Sequence, residues 1–200
     1  MIALSIDGKK VWAKEGSTIL EAARLYNIYI PTLCYHPSLS PYGACRLCSV
    51  EVVQRDRSRI VVSCLFQIEE GLEVKTNTER IQKLRRGIIE LLLARCPSTE
   101  RIQNLAKEMG VLKPRFSSEN EDCILCSLCV RVCQEISEKK ALSFVSRGTK
   151  REVATPFYQP SEECFDCWGC AYVCPTGAIK IENGKLVFPW MKKDLIFSKD

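Results

Sequence analysis

Two hundred residues suffice for one large domain or two to three small ones, and 46% hydrophobic with 26% charged residues excludes a disordered chain. A net charge of +5 is too small to define the protein by polyanion binding. Basic residues gather at Arg55, Arg57 and Arg59 and at Lys83, Arg85 and Arg86, but without the sustained face or motif that nucleic acid requires.

The segment 1–16 lacks a basic stretch followed by a long apolar core, so no secretory signal is expected. No apolar run approaches the ~18 residues that span a bilayer; Ile88 to Ala94 comes nearest and is too short. A cytoplasmic, non-membrane-spanning chain is expected. In that setting thirteen cysteines argue for metal ligation over disulfides. Ile2 to Ile6 alternates apolar and polar residues, Asp7-Gly8 is a hairpin turn signal, and Lys9 to Ala13 is the returning strand. Thr18 and Glu21 form a capping box for a short helix whose Ile19, Ala22, Ala23 and Tyr26 can cover a sheet. Strand, turn, strand, helix is how a β-grasp fold opens.

Cys34, Cys45, Cys48 and Cys64 follow with the spacing C-x10-C-x2-C-x15-C. Plant-type [2Fe–2S] ferredoxins use C-x4-C-x2-C and a distant fourth cysteine. The first interval is longer here, but the tight central pair and lone outliers follow the same logic. Pro31, Pro37, Pro41 and Gly43 mark a loop that can wrap a cluster and aim backbone N–H groups at sulfur. Strands over Ser49–Gln54 and Arg59–Cys64 would put the fourth ligand at a strand end. His36, the single histidine, excludes a Rieske centre, which needs two, and is read as a residue packed beside the cluster.

Residues 1–75 resemble the N-terminal [2Fe–2S] domain of the large iron–sulfur subunit of NADH:quinone oxidoreductase. They are equally similar to that domain in iron hydrogenases, diaphorase subunits of bidirectional hydrogenases and NAD-linked formate dehydrogenases. Pro31, Leu33, Cys34, Gly43, Cys45, Arg46, Cys48 and Cys64 carry the resemblance.

Thr78 to Cys96 reads as a helix with Ile81, Leu84, Ile88, Leu91 and Leu92 on a 3.6-residue period, ended by Pro97. Ser98 is the expected cap of a second helix through Met109, with Ile102, Leu105 and Met109 as its apolar positions and Gly110 as its stop. The resemblance implies a further cluster site here, H-x3-C-x2-C-x5-C. Its positions fall on Cys96, Glu100, Gln103 and Met109, so that cluster is expected to be missing and Cys96 to be a small buried residue at a helix end.

The last part holds C-x2-C-x2-C-x3-C twice: Cys123, Cys126, Cys129, Cys133, then Cys164, Cys167, Cys170, Cys174 with Pro175 behind. In the bacterial ferredoxin run three cysteines wrap one cubane and the fourth reaches the neighbouring cluster. The expected [4Fe–4S] sets are therefore Cys123, Cys126, Cys129 with Cys174, and Cys164, Cys167, Cys170 with Cys133. Zinc is the alternative, since C-x2-C is also a zinc spacing. Ala141 to Ser146 and Val153 to Tyr158 read as strands. Ile124, Leu125, Leu128, Val130, Phe165, Trp168 and Val173 read as an apolar shell, with Trp168 as packing rather than as a redox station. Lys185 to Asp200 carries no motif. The double quartet extends the resemblance over nearly the whole chain.

The expected fold is α+β in three parts: 1–75 a β-grasp [2Fe–2S] ferredoxin domain, 76–115 a helical spacer, and 116–200 a bacterial-type two-[4Fe–4S] ferredoxin module. No phosphate loop or nucleophilic constellation is visible, so no catalytic site of its own is expected. The expected function is an electron-transfer subunit with one [2Fe–2S] and two [4Fe–4S] clusters. The resemblance implies partners: a flavin/NAD(P)-binding diaphorase-type subunit and a further redox subunit or ferredoxin. A stand-alone polyferredoxin and an iron–sulfur redox sensor are the alternatives.

Overall fold

The computed structural model describes residues 1–54, 57–116, 121–159, 161–164 and 167–191. The N-terminal hairpin pairs β1 (Ile2–Ile6) with β2 (Lys9–Ala13) through a two-residue turn at Asp7 and Gly8, both with positive φ, 49° and 79°. That geometry matches the right-handed twist of the strands it joins. The Asp7 side chain does a second job. Its carboxylate accepts hydrogen bonds from the Thr76 N–H at 2.7 Å and hydroxyl at 2.6 Å, pinning the far end of β5 (Glu73–Lys75) alongside β1. With β3 (Ser49–Gln54) and β4 (Arg57–Val62) the sheet order is β2-β1-β5-β3-β4, and only the β1–β5 pair is parallel.

Helix α1 (Ile19–Leu25) is opened by the expected capping box, with both reciprocal hydrogen bonds between Thr18 and Glu21 formed. Its Ile19, Leu20, Ala22 and Ala23 pack on Leu4, Ile6, Val11 and Val74 of the sheet. Leu20 N–H and Ile19 N–H bond the carbonyls of Ser63 and Phe66, so the chain around Cys64 is tied to the helix start.

Helix α2 (Glu79–Arg95) is capped by Thr78 and ends at Cys96, matching the expected span. The buried stripe differs from the expected one. Ile81, Arg85, Ile89, Leu93 and Ala94 face inward, Leu84, Ile88 and Leu92 are half-buried, and Leu91 is exposed. The helix is turned this way because Arg85 is held inside, where its guanidinium donates to the carbonyls of Leu47 at 2.9 Å and Ser49 at 2.8 Å. Helix α3 (Glu100–Glu108) starts after Thr99 rather than Ser98. Ile102, Leu105 and Ala106 are its buried residues, and Gly110 takes up a φ of 73° just beyond its end.

The C-terminal part has α4 (Leu128–Glu135), the hairpin β6 (Ser143–Val145) with β7 (Glu152–Ala154), α5 (Gly169–Tyr172), and the hairpin β8 (Lys180–Glu182) with β9 (Lys185–Val187). Both expected strands are shorter than the sequence pattern indicated. Ala141 gives its N–H to the Cys133 sulfur at 3.2 Å instead of to a ladder. Pro156 ends the other strand, since it lacks an N–H, and residues 156–158 form a 3₁₀ turn. Phe165 and residues 192–200, read above as shell and tail, lie outside the described residues.

Two cores result. One lies between α1 and the five-stranded sheet; the other runs from α2 and α3 through α4 to Phe188 and Trp190.

Candidate metal centres

The loop between α1 and β3 carries Cys34, Cys45 and Cys48, and Cys64 follows β4 by two residues. All four are buried. They meet as two pairs. The Cys45 thiol donates to Cys34, whose pKa falls to about 6, and the Cys64 thiol donates to Cys48, which also falls to about 6. Cys45 and Cys64, as the donors, are pushed well up. The Cys45 N–H also reaches the Cys34 sulfur at 3.4 Å. The loop can bend this tightly because Gly43 and Arg46 adopt φ of 71° and 60°. The pairs belong to different cores: Cys34 and Cys45 pack in the second, Cys48 and Cys64 in the first. His36 is half-buried, and its Nδ1 accepts from the Ser38 N–H at 3.2 Å.

The eight remaining quartet cysteines fall around two cavities. Cys123, Cys126, Cys129 and Cys174 line one, together with Ile124 and Ala178. Cys133, Cys164, Cys167 and Cys170 line the other, with Leu142 and Trp168. The local backbone repeats between the two runs. Ser127 and Trp168, each one residue after the second cysteine, take left-handed φ of 70° and 45° and precede α4 and α5. Each turn carries the chain from a loop that presents cysteines into a helix that presents more. Burial pushes Cys126 and Cys170 up to about 12 and Cys129 well above the ordinary thiol range. Neighbouring thiols of the same cavity add to that rise.

Such thiols are neutral until a cation takes the proton's place. Among the described residues no group of three or more His, Cys, Asp or Glu is arranged to hold a single metal ion, so the wider groupings around the cavities matter. Three sets of four thiols, one set already paired two and two, fit a two-iron and two four-iron clusters in donor number and type. The N–H groups of Cys45, Leu125 and Ala141 donate to the sulfurs of Cys34, Cys123 and Cys133, bonds of the kind that stabilise negative charge on sulfur.

Trp168 lines the second cavity, as expected of a shell residue, yet it is 43% exposed beside exposed Cys167, with Tyr172 also exposed close by. A left-handed backbone at Trp168 directs the chain into α5. Cys96 is fully buried at the end of α2, and burial lifts its thiol to about 12. At the other positions of the extra-cluster pattern Glu100 is exposed and the Gln103 amide donates to the Pro97 carbonyl at 2.7 Å. Arg131 on α4 is the functional candidate that sequence reading missed, since a charged residue between two cysteines carries no spacing signal.

A family described as a 2Fe-2S iron-sulfur cluster binding domain matches residues 1–79, and one described as a 4Fe-4S dicluster domain matches residues 122–178. The chain is 34% identical over 204 residues to the NADPH-Fe(3+) oxidoreductase subunit alpha of Geobacter sulfurreducens, covering 90% of this chain and 24% of the relative. It is 34% identical over 211 residues to the NADP-reducing hydrogenase subunit HndD of Solidesulfovibrio fructosivorans, with 90% and 36% covered. The solved structure of an NAD+-reducing [NiFe]-hydrogenase in the H2-reduced state aligns with a TM-score of 0.69 and 31% identity, over 77% of this chain and 74% of that one. The chain belongs to a family of iron–sulfur proteins that includes subunits of NAD(P)-linked oxidoreductases. Within that family it is an α+β protein with a 2Fe-2S domain followed by a 4Fe-4S dicluster domain. It spans about a quarter to a third of the length of these two curated relatives. No helix among the described residues is long and apolar enough to cross a membrane.

Proposed function

We propose that this chain is an electron-transfer subunit that relays electrons between a flavin/NAD(P)-binding subunit and a catalytic partner or ferredoxin. Cys34, Cys45, Cys48 and Cys64 hold a [2Fe–2S] cluster. Cys123, Cys126, Cys129 and Cys174 hold one [4Fe–4S] cluster, and Cys133, Cys164, Cys167 and Cys170 the other. The clusters supply one-electron carriers; the protein supplies thiolates, N–H···S bonds and a dry surround. The observation carrying this reading is that the four-thiol loop site straddles the two cores, so two-iron and four-iron donor sets share one continuous structure.

The surface around Cys167, Trp168 and Tyr172 is the natural port for exchange with a partner, because only there is a ligand of the three sets exposed. The three domains follow the boundaries 1–75, 76–115 and 116–200, and the chain works in the cytoplasm.

Anaerobic purification from the native host tests the reading. About ten irons per chain are expected, two from the [2Fe–2S] and eight from the cubanes. Zinc with little iron would overturn the cluster assignment. A chain that purifies without any flavoprotein would overturn the relay in favour of a stand-alone carrier.

A further inference from the structure

Arg131 sits on α4 midway between Cys129 and Cys133, yet its side chain leaves the cubane region. Two residues along a helix is a turn of about 200°, so it projects from the face opposite both cysteines. It reaches the loop of the [2Fe–2S] site. Nη2 donates to the Cys34 carbonyl at 2.7 Å, Nη1 donates to the Ser40 carbonyl, and the guanidinium lies 5.7 Å from the Tyr42 ring centre. Glu135, one turn on, accepts from the Ser40 N–H at 2.8 Å. One helix thus presents thiols on one face and clamps the loop of a different metal site with the other.

The electrostatics of this clamp are unbalanced. Arg131 is buried and permanently charged, and its hydrogen-bonding partners are neutral carbonyls. Among the described residues it forms no ion pair, and its buried Nε–H has no acceptor. Burying a cation without an anion is costly, and so is burying an N–H without an acceptor. An anionic centre held by Cys34 relieves the first of these costs. A four-thiolate iron centre is such an anion, and it becomes one charge more negative on taking up an electron.

We propose that Arg131 is a positioning residue of the [2Fe–2S] site: it locks the Cys34–Cys45 loop onto the dicluster module, and its buried charge raises that cluster's reduction potential. The proposal rests on the ligand assignment made above for Cys34, Cys45, Cys48 and Cys64. Its dependence on charge separates it from a purely structural role, which lysine and glutamine would disrupt alike.

The test is a redox titration of the anaerobically purified full chain with viologen mediators, read by the electron paramagnetic resonance signal of the reduced [2Fe–2S] cluster. Wild type, Arg131→Lys and Arg131→Gln are compared, with the cubane signals in each sample as internal reference. Arg131→Gln is expected to lower the reduced-to-oxidised ratio at a fixed potential by tenfold or more, about 59 mV for one electron. Arg131→Lys is expected to recover most of that shift. An unmoved ratio in Arg131→Gln, or equal shifts in the lysine and glutamine variants, overturns the proposal. If Arg131→Gln loads no cluster, Arg131→Lys decides: a near-native ratio supports the role of charge, and a tenfold loss refutes it. Absence of a [2Fe–2S] signal in wild type would instead overturn the ligand assignment itself.

Discussion

Gly43 shows how little freedom the cluster loop has. A Cβ there would stand 2.5 Å from Leu65 Cδ1 and 3.3 Å from its Cγ, on a backbone with φ of 71°. Leu65 can swing aside because its side chain is partly exposed, but the left-handed backbone cannot be relieved, at a cost of about 1–3 kcal/mol. Gly43→Ala is therefore expected to lower the [2Fe–2S] signal per chain, and Leu65→Ala in the same chain to restore only part of it. Full rescue by Leu65→Ala would show that contact rather than backbone strain is responsible. Cys96 poses a different problem, that of a thiol that must stay protonated. Its folded pKa of about 12 lies above the ~8.5 of a free thiol, so it adds stability below about pH 8.5 and loses it as pH rises toward 12. Wild type should lose stability relative to Cys96→Ala by about 1.4 kcal/mol for each pH unit above ~8.5. Thermal melts at pH 7.5 and 9.5 check this, and parallel pH responses would refute it. Both proteins should carry the same iron.

At the scale of elements, the helix between the cluster domains is a structural strut. The guanidinium of Arg85 holds two β-grasp carbonyls from inside α2. Replacing it by methionine keeps much of the packing but leaves the Leu47 and Ser49 carbonyls buried without a donor. A loss of about 2–4 kcal/mol is expected in denaturant unfolding, from two charge-assisted bonds. A loss below 0.5 kcal/mol would mean that water replaces the guanidinium without penalty. This residue also explains what the sequence could and could not disclose. The first hairpin, the capping box and the ends of α2 were legible because each is set by local chemistry, such as Asp7-Gly8, Thr18 with Glu21, and Pro97. The buried face of α2 was not, because apolar periodicity cannot anticipate a buried arginine whose partners lie 36 and 38 residues away in the chain. Strand β5 escaped notice because three residues show no period, although Asp7 and Thr76 secure it. The β8–β9 hairpin could have been read from Asn183-Gly184, whose φ of 50° and 73° suit the turn. Of the candidate sites, cysteine spacing proposes the sets of four, but it could not disclose that the loop set lies across two cores.

For the whole molecule, that position across two cores makes the proposed [2Fe–2S] site dependent on both halves. Leu33, Leu39 and Leu47 flank Cys34 and Cys45 and are buried in the core shared with α2, α3 and α4. The β-grasp core of α1 and the sheet contains none of these five residues. A fragment of residues 1–79, the span matched by the 2Fe-2S family, should therefore keep its sheet while losing the cover over half its thiols. Each leucine returned to water forfeits about 1.5–3 kcal/mol of burial. Tenfold in an equilibrium corresponds to about 1.4 kcal/mol, so one exposed leucine is enough to matter. The fragment is expected to show a β-rich circular dichroism spectrum like that of the corresponding region. It should release its iron to an excess of chelator at least tenfold faster than the full chain's [2Fe–2S] cluster, followed by the loss of its visible absorption. Comparing the fragment with the full chain carrying Arg131→Gln separates the two contributions of the C-terminal half. Packing by the leucines is absent only from the fragment, whereas the arginine clamp is absent from both. If the fragment holds its iron as tightly as the full chain, the cluster belongs to the β-grasp domain alone, and the second core is merely adjacent to it.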